Sequence, residues 1–343
     1  VFLRVPKEWS PAVRDFNRRL GARGWIGLHW PRECGGGGRS FREQLIVVEE
    51  LAARHARIIN SQALHVVQTL LVHGTEAQKR AVIPRVAAGE IEVALGYTEP
   101  EAGSDLANVQ MRAVPDGDVY VITGQKIFNT MAHWGSYHWL LTRTDPAAQP
   151  GHRGLTMFLV DLGTPGITVE PLYTMDDSRT NIVYYDQVRV PKSSVVGKPG
   201  QGFYVAMEAL DKERLFVFNP HFYRSLLDEL VEYTKATVRD GRLLSKDPLV
   251  RWGLARLDVE LAVAEVLYQR TIWLVEQGRE ATAPSAMLKI FITELGQRLG
   301  SVAQEVVGQV GLLRPGSKRA ALSGRMEIGQ RATIFHTFGA GGN

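Results

Sequence analysis

The feature that most limits the fold is a double change of hydrophobic rhythm along the chain. Up to about residue 90 apolar residues return at helical spacing. From Ile91 to about Val196 they fall into short β-like runs separated by turns, and beyond that helical spacing resumes. A helix-period stretch does not settle as a strand, nor the reverse. The order therefore predicts an α+β multidomain chain: an N-terminal helical domain (1–90), a central β-barrel or sandwich domain (91–200) and a C-terminal antiparallel helical bundle of four-helix type (201–343). A length of 343 residues suits that number of packed subdomains.

Within the first part, Pro11 to Leu20 reads as a helix with Ser10 as N-cap and Gly21 or Gly24 as its stop. Ser40 to Ala56 and Thr75 to Ala88 follow, the latter with a Thr cap, an early acid and late bases. The glycines Gly35 to Gly38 invite a phosphate-loop reading. No strand precedes them and no Gly-Lys-Ser/Thr follows, so they read as a plain loop. In the centre, Val119, Val121 and Thr123 alternate with Tyr120, Ile122 and Gly124 after the turn Asp116-Gly117-Asp118; Leu155–Val160 and Ile182–Pro191 are the other clear strands. Gly197 to Gly202 reads as a hinge-like loop. The bundle helices are read over 203–217, 222–238, 248–276, 285–308 and 323–337.

Composition excludes more than it identifies. A net charge of +4 is mild and its bases are scattered, which argues against nucleic acid. The single Cys34 allows no internal disulfide. No apolar run is long enough to span a membrane and the start, Val1-Phe2-Leu3-Arg4, lacks a signal-peptide pattern, so the expected location is cytoplasmic with no membrane association. The first residue is not Met, and both ends read as cut.

Two stretches carry the chemistry. Tyr97-Thr98-Glu99-Pro100-Glu101-Ala102-Gly103-Ser104-Asp105 is a polar turn that breaks the apolar run Val93-Ala94-Leu95. Gly beside Ser and Asp gives little bulk, with free N–H groups and hydroxyls that suit a phosphate or a flat heterocycle. The second is Gly124-Gln125-Lys126-Ile127-Phe128-Asn129-Thr130. If it continues as a strand, Phe128 and Thr130 share one face and meet one flat ligand together. On residues alone this is either a small-molecule site on strands or a pair of core strands with an ordinary turn.

The two motifs together resemble the acyl-CoA dehydrogenase family, whose Thr-Glu-Pro-x-Ala-Gly-Ser-Asp turn and Gly-x-Lys-x-Trp-Ile-Thr strand clasp the isoalloxazine of FAD. Trp30-Pro31 with the following glycines, Gly74 to Arg80 and the Val190-Pro191 ending resemble the same family, across essentially the whole chain. The resemblance implies α,β-dehydrogenation of an acyl-CoA thioester. A carboxylate removes the α-proton, and the β-hydrogen leaves as hydride to the flavin. Such a base works in a water-poor pocket, and the thioester oxygen needs hydrogen bonds as charge develops. One branch of the family carries its base in a near-C-terminal loop, where Ala340 stands here. Another carries it on the first bundle helix, where Leu210-Asp211-Lys212-Glu213-Arg214 keeps Glu213.

By the same carry-over Glu213 is the expected catalytic base. Leu95, Tyr97, Thr98, Gly103, Ser104, Phe128 and Thr130 are the expected FAD residues, with Phe replacing the usual Trp at 128. Ser104, Asp211 and Arg214 are expected on the acyl-CoA. No metal site is expected, and His133, His138 and His336 read as packing or surface residues. The family's Arg-x-x-Phe-Gly motif, which reaches a neighbouring subunit's FAD, is not recognisable. Arg239-Asp240-Gly241-Arg242 stands in its region, and Val307-Gly308-Gln309-Val310-Gly311 is a loose match to the adenine turn. The implied partners are an electron-transferring flavoprotein and further subunits in a homo- or hetero-oligomer, a dimer or tetramer. Two alternatives stay open: a flavin monooxygenase or oxidase on the same fold, and a subunit of a heteromeric dehydrogenase that is inactive alone. Acyl-chain identity is not readable.

Overall fold

A computed structural model describes residues 10–54, 56 and 61–339. The start Val1 to Arg4, Ala340 at the loop-base position and the tail Gly341-Gly342-Asn343 lie outside the described residues. The described chain forms two compact units. One holds residues 10–44 and 61–213; the other holds 45–54 and the long stretch from Arg214 onward.

In the first unit α1 (Pro11–Ala22) starts as expected, with Ser10 Oγ accepting from the Val13 N–H at 3.4 Å. Helix α2 runs Phe41–Ala53 and passes into the second unit at Leu45; α3 (Ser61–His73) and α4 (Glu76–Ala87) belong to the first. A capping box starts α4: Thr75 Oγ1 accepts from Gln78 N at 3.2 Å and Gln78 Oε1 from Thr75 N at 2.9 Å. The glycine stretch is indeed a loop. It wraps the fully buried Trp30 so tightly that a Cβ on Gly36 would lie 2.3 Å from the Trp30 carbonyl oxygen.

The strands of this unit are β1 (Val93–Gly96), β2 (Arg112–Asp116), β3 (Val119–Lys126), β4 (Tyr137–Arg143), β5 (Leu155–Asp161), β6 (Ile167–Tyr173), β7 (Arg179–Pro191) and β8 (Val195–Val196). They form one eight-stranded sheet in the order β6-β7-β3-β2-β4-β5-β8, with β1 parallel to β4. Its core includes Ile122, Leu140, Phe158, Val183 and Val188, with Tyr120 edge-on to Phe158 at 5.1 Å. The β3–β7 register shifts between Ile122 and Gly124. Such a bulge bends a strand and re-aims the residues beyond it. Gly124 sits at φ +138, and a Cβ there would press within 2.8 Å of Met111.

The expected strand through Phe128 and Thr130 is a correction. β3 ends at Lys126, because Ile127 N donates to Thr98 O and Asn129 N to Asn181 O instead of continuing the ladder. Residues 127–130 are a loop, and Phe128 has φ +60.

Helix α5 (Gly202–Val217) carries the chain from the first unit into the second at Glu213–Arg214. The second unit contains α6 (Pro220–Ala236), the short hairpin β9 (Val238–Arg239) and β10 (Arg242–Leu243), α7 (Pro248–Glu276), α8 (Thr282–Val307) and α9 (Arg325–Phe338). Two boundaries are corrected. The expected 222–238 helix stops at Ala236, since Asp240 and Gly241 take positive φ and turn the chain into the hairpin. The last helix begins at Arg325, not 323, because Leu322 and Ser323 are left-handed. Helix α8 packs on α6, α7 and α9 around a core including Phe218, Leu226, Leu261, Ile292, Leu299 and Met326. No helix among the described residues is long and apolar enough to cross a membrane.

Candidate active site

The polar turn comes directly after β1. Tyr97 is buried at its end, and Glu99 and Ala102 close the turn by exchanging backbone hydrogen bonds of 2.9 and 3.2 Å. The turn is held from beneath by a buried ion pair. Lys126 Nζ donates to Glu99 Oε1 at 2.8 Å and to the Tyr97 carbonyl at 3.0 Å. The Glu99 carboxylate also accepts from Gln110 N at 2.7 Å and Met111 N at 3.0 Å. One buried carboxylate thus fixes three chain segments, and its charge is met by a cation and two amide dipoles. Burial lowers the Lys126 ammonium to about 8, with Glu99 opposing that shift.

What this scaffold presents outward is small and polar. Gly103 and Ser104 are exposed, and a Cβ added to Gly103 would meet nothing within 4 Å. Leu95 and Thr98 are half-buried. Across from the turn the loop 127–130 is stapled to β7: Asn181 Nδ2 donates to Asn129 O at 2.8 Å, and Asn181 O accepts from Asn129 N at 2.9 Å. On that loop Phe128 is 52% exposed in a left-handed backbone, and Thr130 is half-buried. A bulky residue held at positive φ with its ring in the open is a strained arrangement that suits a stacking role. The open space at Gly103, the presented ring and the nearby hydroxyls fit a flat, hydrogen-bonding heterocycle.

Glu213 lies on α5, buried at 9% exposure. Its neighbourhood includes the Tyr97 phenol, which burial pushes upward and the Glu213 charge pushes further. Tyr97 therefore stays neutral beside the carboxylate. Asp211 is half-buried on the same helix. Glu208, one turn earlier, is anchored to His73 at 2.7 Å and Lys212 at 2.6 Å, which fixes α5 against the end of α3. Arg214 belongs to the second unit. It is buried, and its Nη1 donates to Ser285 Oγ on α8 at 3.2 Å. Lys289 on α8 is lowered to about 8, by burial and then by the like charge of Arg214.

The sequence reading missed the bracing roles of Glu99 and Lys126, although both stand inside the two motifs. A signal was there: Tyr120, Ile122 and Lys126 share the inward face of β3, so a Lys on that face requires a buried acid. It also missed Asn181, which holds the Phe128 loop. His138 is fully buried, with Nδ1 2.7 Å from the Tyr185 hydroxyl. Burial and then the Lys126 charge hold it down to about 3, so it is a neutral packing residue.

Three comparisons bear on this arrangement. Residues 5–90 match the acyl-CoA dehydrogenase N-terminal domain, 94–188 the middle domain and 200–334 the C-terminal domain. Acyl-CoA dehydrogenase FadE26 of Mycobacterium tuberculosis is 35% identical over 338 residues, covering 96% of this chain and 84% of that protein. Among solved structures, the Tcur3481-Tcur3483 steroid ACAD aligns with a TM-score of 0.90 at 34% identity, over 97% of this chain and 86% of its own. The ChsE4-ChsE5 complex from Mycobacterium tuberculosis aligns at 0.87 and 35%, over 96% and 85%.

Proposed function

Since the chain belongs to the acyl-CoA dehydrogenase family and is an oxidoreductase of that family, we propose that it removes the α- and β-hydrogens of a bulky, polycyclic acyl-CoA thioester, with Glu213 as the base. The observation that carries this reading is the buried carboxylate of Glu213 on α5, beside Tyr97, which follows β1 and opens the polar turn.

Family members bind FAD generally, and the residues here fit it. Thr98, Gly103 and Ser104 on the turn and Phe128 and Thr130 on the facing loop would hold the isoalloxazine and its phosphates. When bound, FAD supplies the acceptor for the β-hydride. The chain's own groups do the rest. Glu213 takes the α-proton on a carboxylate oxygen. Glu213 is buried beside Tyr97, which keeps water from that carboxylate. The Glu99–Lys126 brace keeps the turn and the Phe128 loop in register through Tyr97 O and Ile127 N. Asp211 and Arg214 stand next to the base in sequence and are the residues proposed to bind the thioester or its CoA arm. The polycyclic substrate class is supported by the relative described as a steroid ACAD. An electron-transferring flavoprotein is the proposed acceptor of the electrons.

The test is an anaerobic titration of the purified protein with straight-chain, branched and steroid-type acyl-CoAs, beside Glu213→Gln. We expect one thioester class to bleach the flavin band, and the variant to keep its flavin while bleaching roughly 100- to 10,000-fold more slowly. A yellow protein that no thioester bleaches would overturn the proposal in favour of oxygen chemistry. A colourless protein would favour a second reading, a subunit completed by a partner, which the two-component relatives motivate.

A further inference from the structure

A cleft of about 780 Å³ opens in the first unit where α1, α4, β7 and the loop after Thr130 converge. Its walls carry Arg14, Arg85 and Arg179, with His133, Trp134 and the carboxylate of Asp161. Those three guanidiniums come from sites far apart in sequence and face a single acid. Asp161 Oδ1 is already engaged by the Gly163 N–H at 2.8 Å. No carboxylate pairs with Arg85 or Arg179 among the described residues. Arg179 gives only its Nε–H, to Asn181 Oδ1 at 3.1 Å. Two arginines of the second unit are paired instead: Arg224 meets Asp258 and Glu265, and Arg298 meets Glu260 and Glu294.

One wall is pre-set. Asn181 Nδ2 donates to Asn129 O and lies 3.0 Å from His133 Nδ1. With both amide hydrogens so used, Nδ1 accepts. The His133 and Trp134 rings lie 4.4 Å apart, tilted by 43°. The volume falls within the roughly 300–1,000 Å³ usual for small-molecule sites. The guanidiniums of Arg85 and Arg179 beside flat rings select a ligand with a polyanionic group and a planar base.

We propose that this cleft binds the diphosphate of a nucleotide. The proposal goes beyond the dehydrogenase reading and does not depend on it. The ligand is a free nucleoside diphosphate.

The test titrates ADP into the full-length protein as purified, read by calorimetry and by tryptophan fluorescence. We expect saturable binding that weakens as salt rises from about 50 to 500 mM and falls at least about 10-fold in the Arg85→Gln/Arg179→Gln double variant. Arg85→Glu serves as a second variant; Arg85 is exposed, so this variant should keep the parent melting temperature. Displacement of ADP by acyl-CoA, or its exclusion by FAD loading, would put the nucleotide in the dehydrogenase site instead and overturn the proposal. Binding indifferent to both supports it. Absence of saturation at about 5 mM ADP, or equal affinity in parent and double variant, would overturn the proposal. Thioester bleaching of the flavin is unaffected by either result, so the two readings fail separately.

Discussion

The two compact units handle charge differently. The bundle holds ion networks near its surface, as in Glu327 with Arg331 at 2.8 Å and Glu260 between Arg256 and Arg298. The two cations it buries, Arg214 and Lys289, donate to neutral oxygens, Ser285 Oγ and the Thr337 carbonyl. Its core is apolar and needs only helical spacing to form. The sheet-bearing unit buries an ion pair outright, keeps a neutral histidine at full burial beside it, and leaves arginines around an open cleft. A buried ion pair is a poor way to gain stability. A unit that holds one is constrained by what its turns must present, whereas the bundle is constrained mainly by packing.

The sharpest way to break this contrast is Lys126→Met. It leaves the Glu99 carboxylate buried with only two backbone donors, so we expect a loss of about 3–5 kcal/mol. Thermal unfolding checks it. Adding Glu99→Gln should recover part of that loss, since removing both charges costs less than orphaning one. FAD should also bind more weakly to the single variant, because Tyr97 O and the Thr98–Ile127 contact lose their anchor. A loss under about 1 kcal/mol, the size of a surface pair, would mean that the two units are not different in kind.

A second test uses acid. His138 and His29 are held to about 3 and about 4 in the folded state, both chiefly by burial. The unfolded chain takes up those protons near the ordinary value of 6.5. Between those limits the unfolded state binds more protons, so stability rises with pH and is lost as pH falls below about 6.5. The window from 6.5 to 4.5 lies above the usual carboxylate range, so it belongs to the histidines. We expect the melting temperature to fall across it in the parent, and less steeply in His138→Gln, whose side chain still reaches Tyr185 but does not titrate.

The same contrast explains what could be read in advance. Helix, sheet and helix were legible because each has its own period. The polar turn, its partner motif and Glu213 were legible because each is a local run of residues matching a family pattern. Strand β4 gave no such signal: Trp139 to Thr142 are all buried, so nothing alternates. Helix α3 was hidden for a related reason, with Ala63, Leu64, Val66 and Val67 all buried. The end of β3 was misjudged because Ile127 and Asn129 take partners at residues 98 and 181, which no local pattern encodes. The cleft was invisible for the same reason, since Arg14, Arg85 and Arg179 meet only after folding.

The smallest expected effect sits in the bundle. Burial works to raise the Glu260 carboxyl, but hydrogen bonds from Arg298 at 2.6 Å and Arg256 at 2.9 Å overcome it and hold the group below its usual range. Because the folded-state value is lowered, the contribution is present above the ordinary carboxylate value of 4.5 and disappears as pH falls through the folded one. Glu260→Gln should therefore cost about 0.5–1 kcal/mol near neutrality, less in 1 M salt, and progressively less as pH falls through the folded-state value. Lys126→Met, buried beyond the reach of salt, should show no such screening. Parallel melting curves of the two variants at low and high salt decide it: equal salt sensitivity would erase the distinction between a surface network and a buried brace.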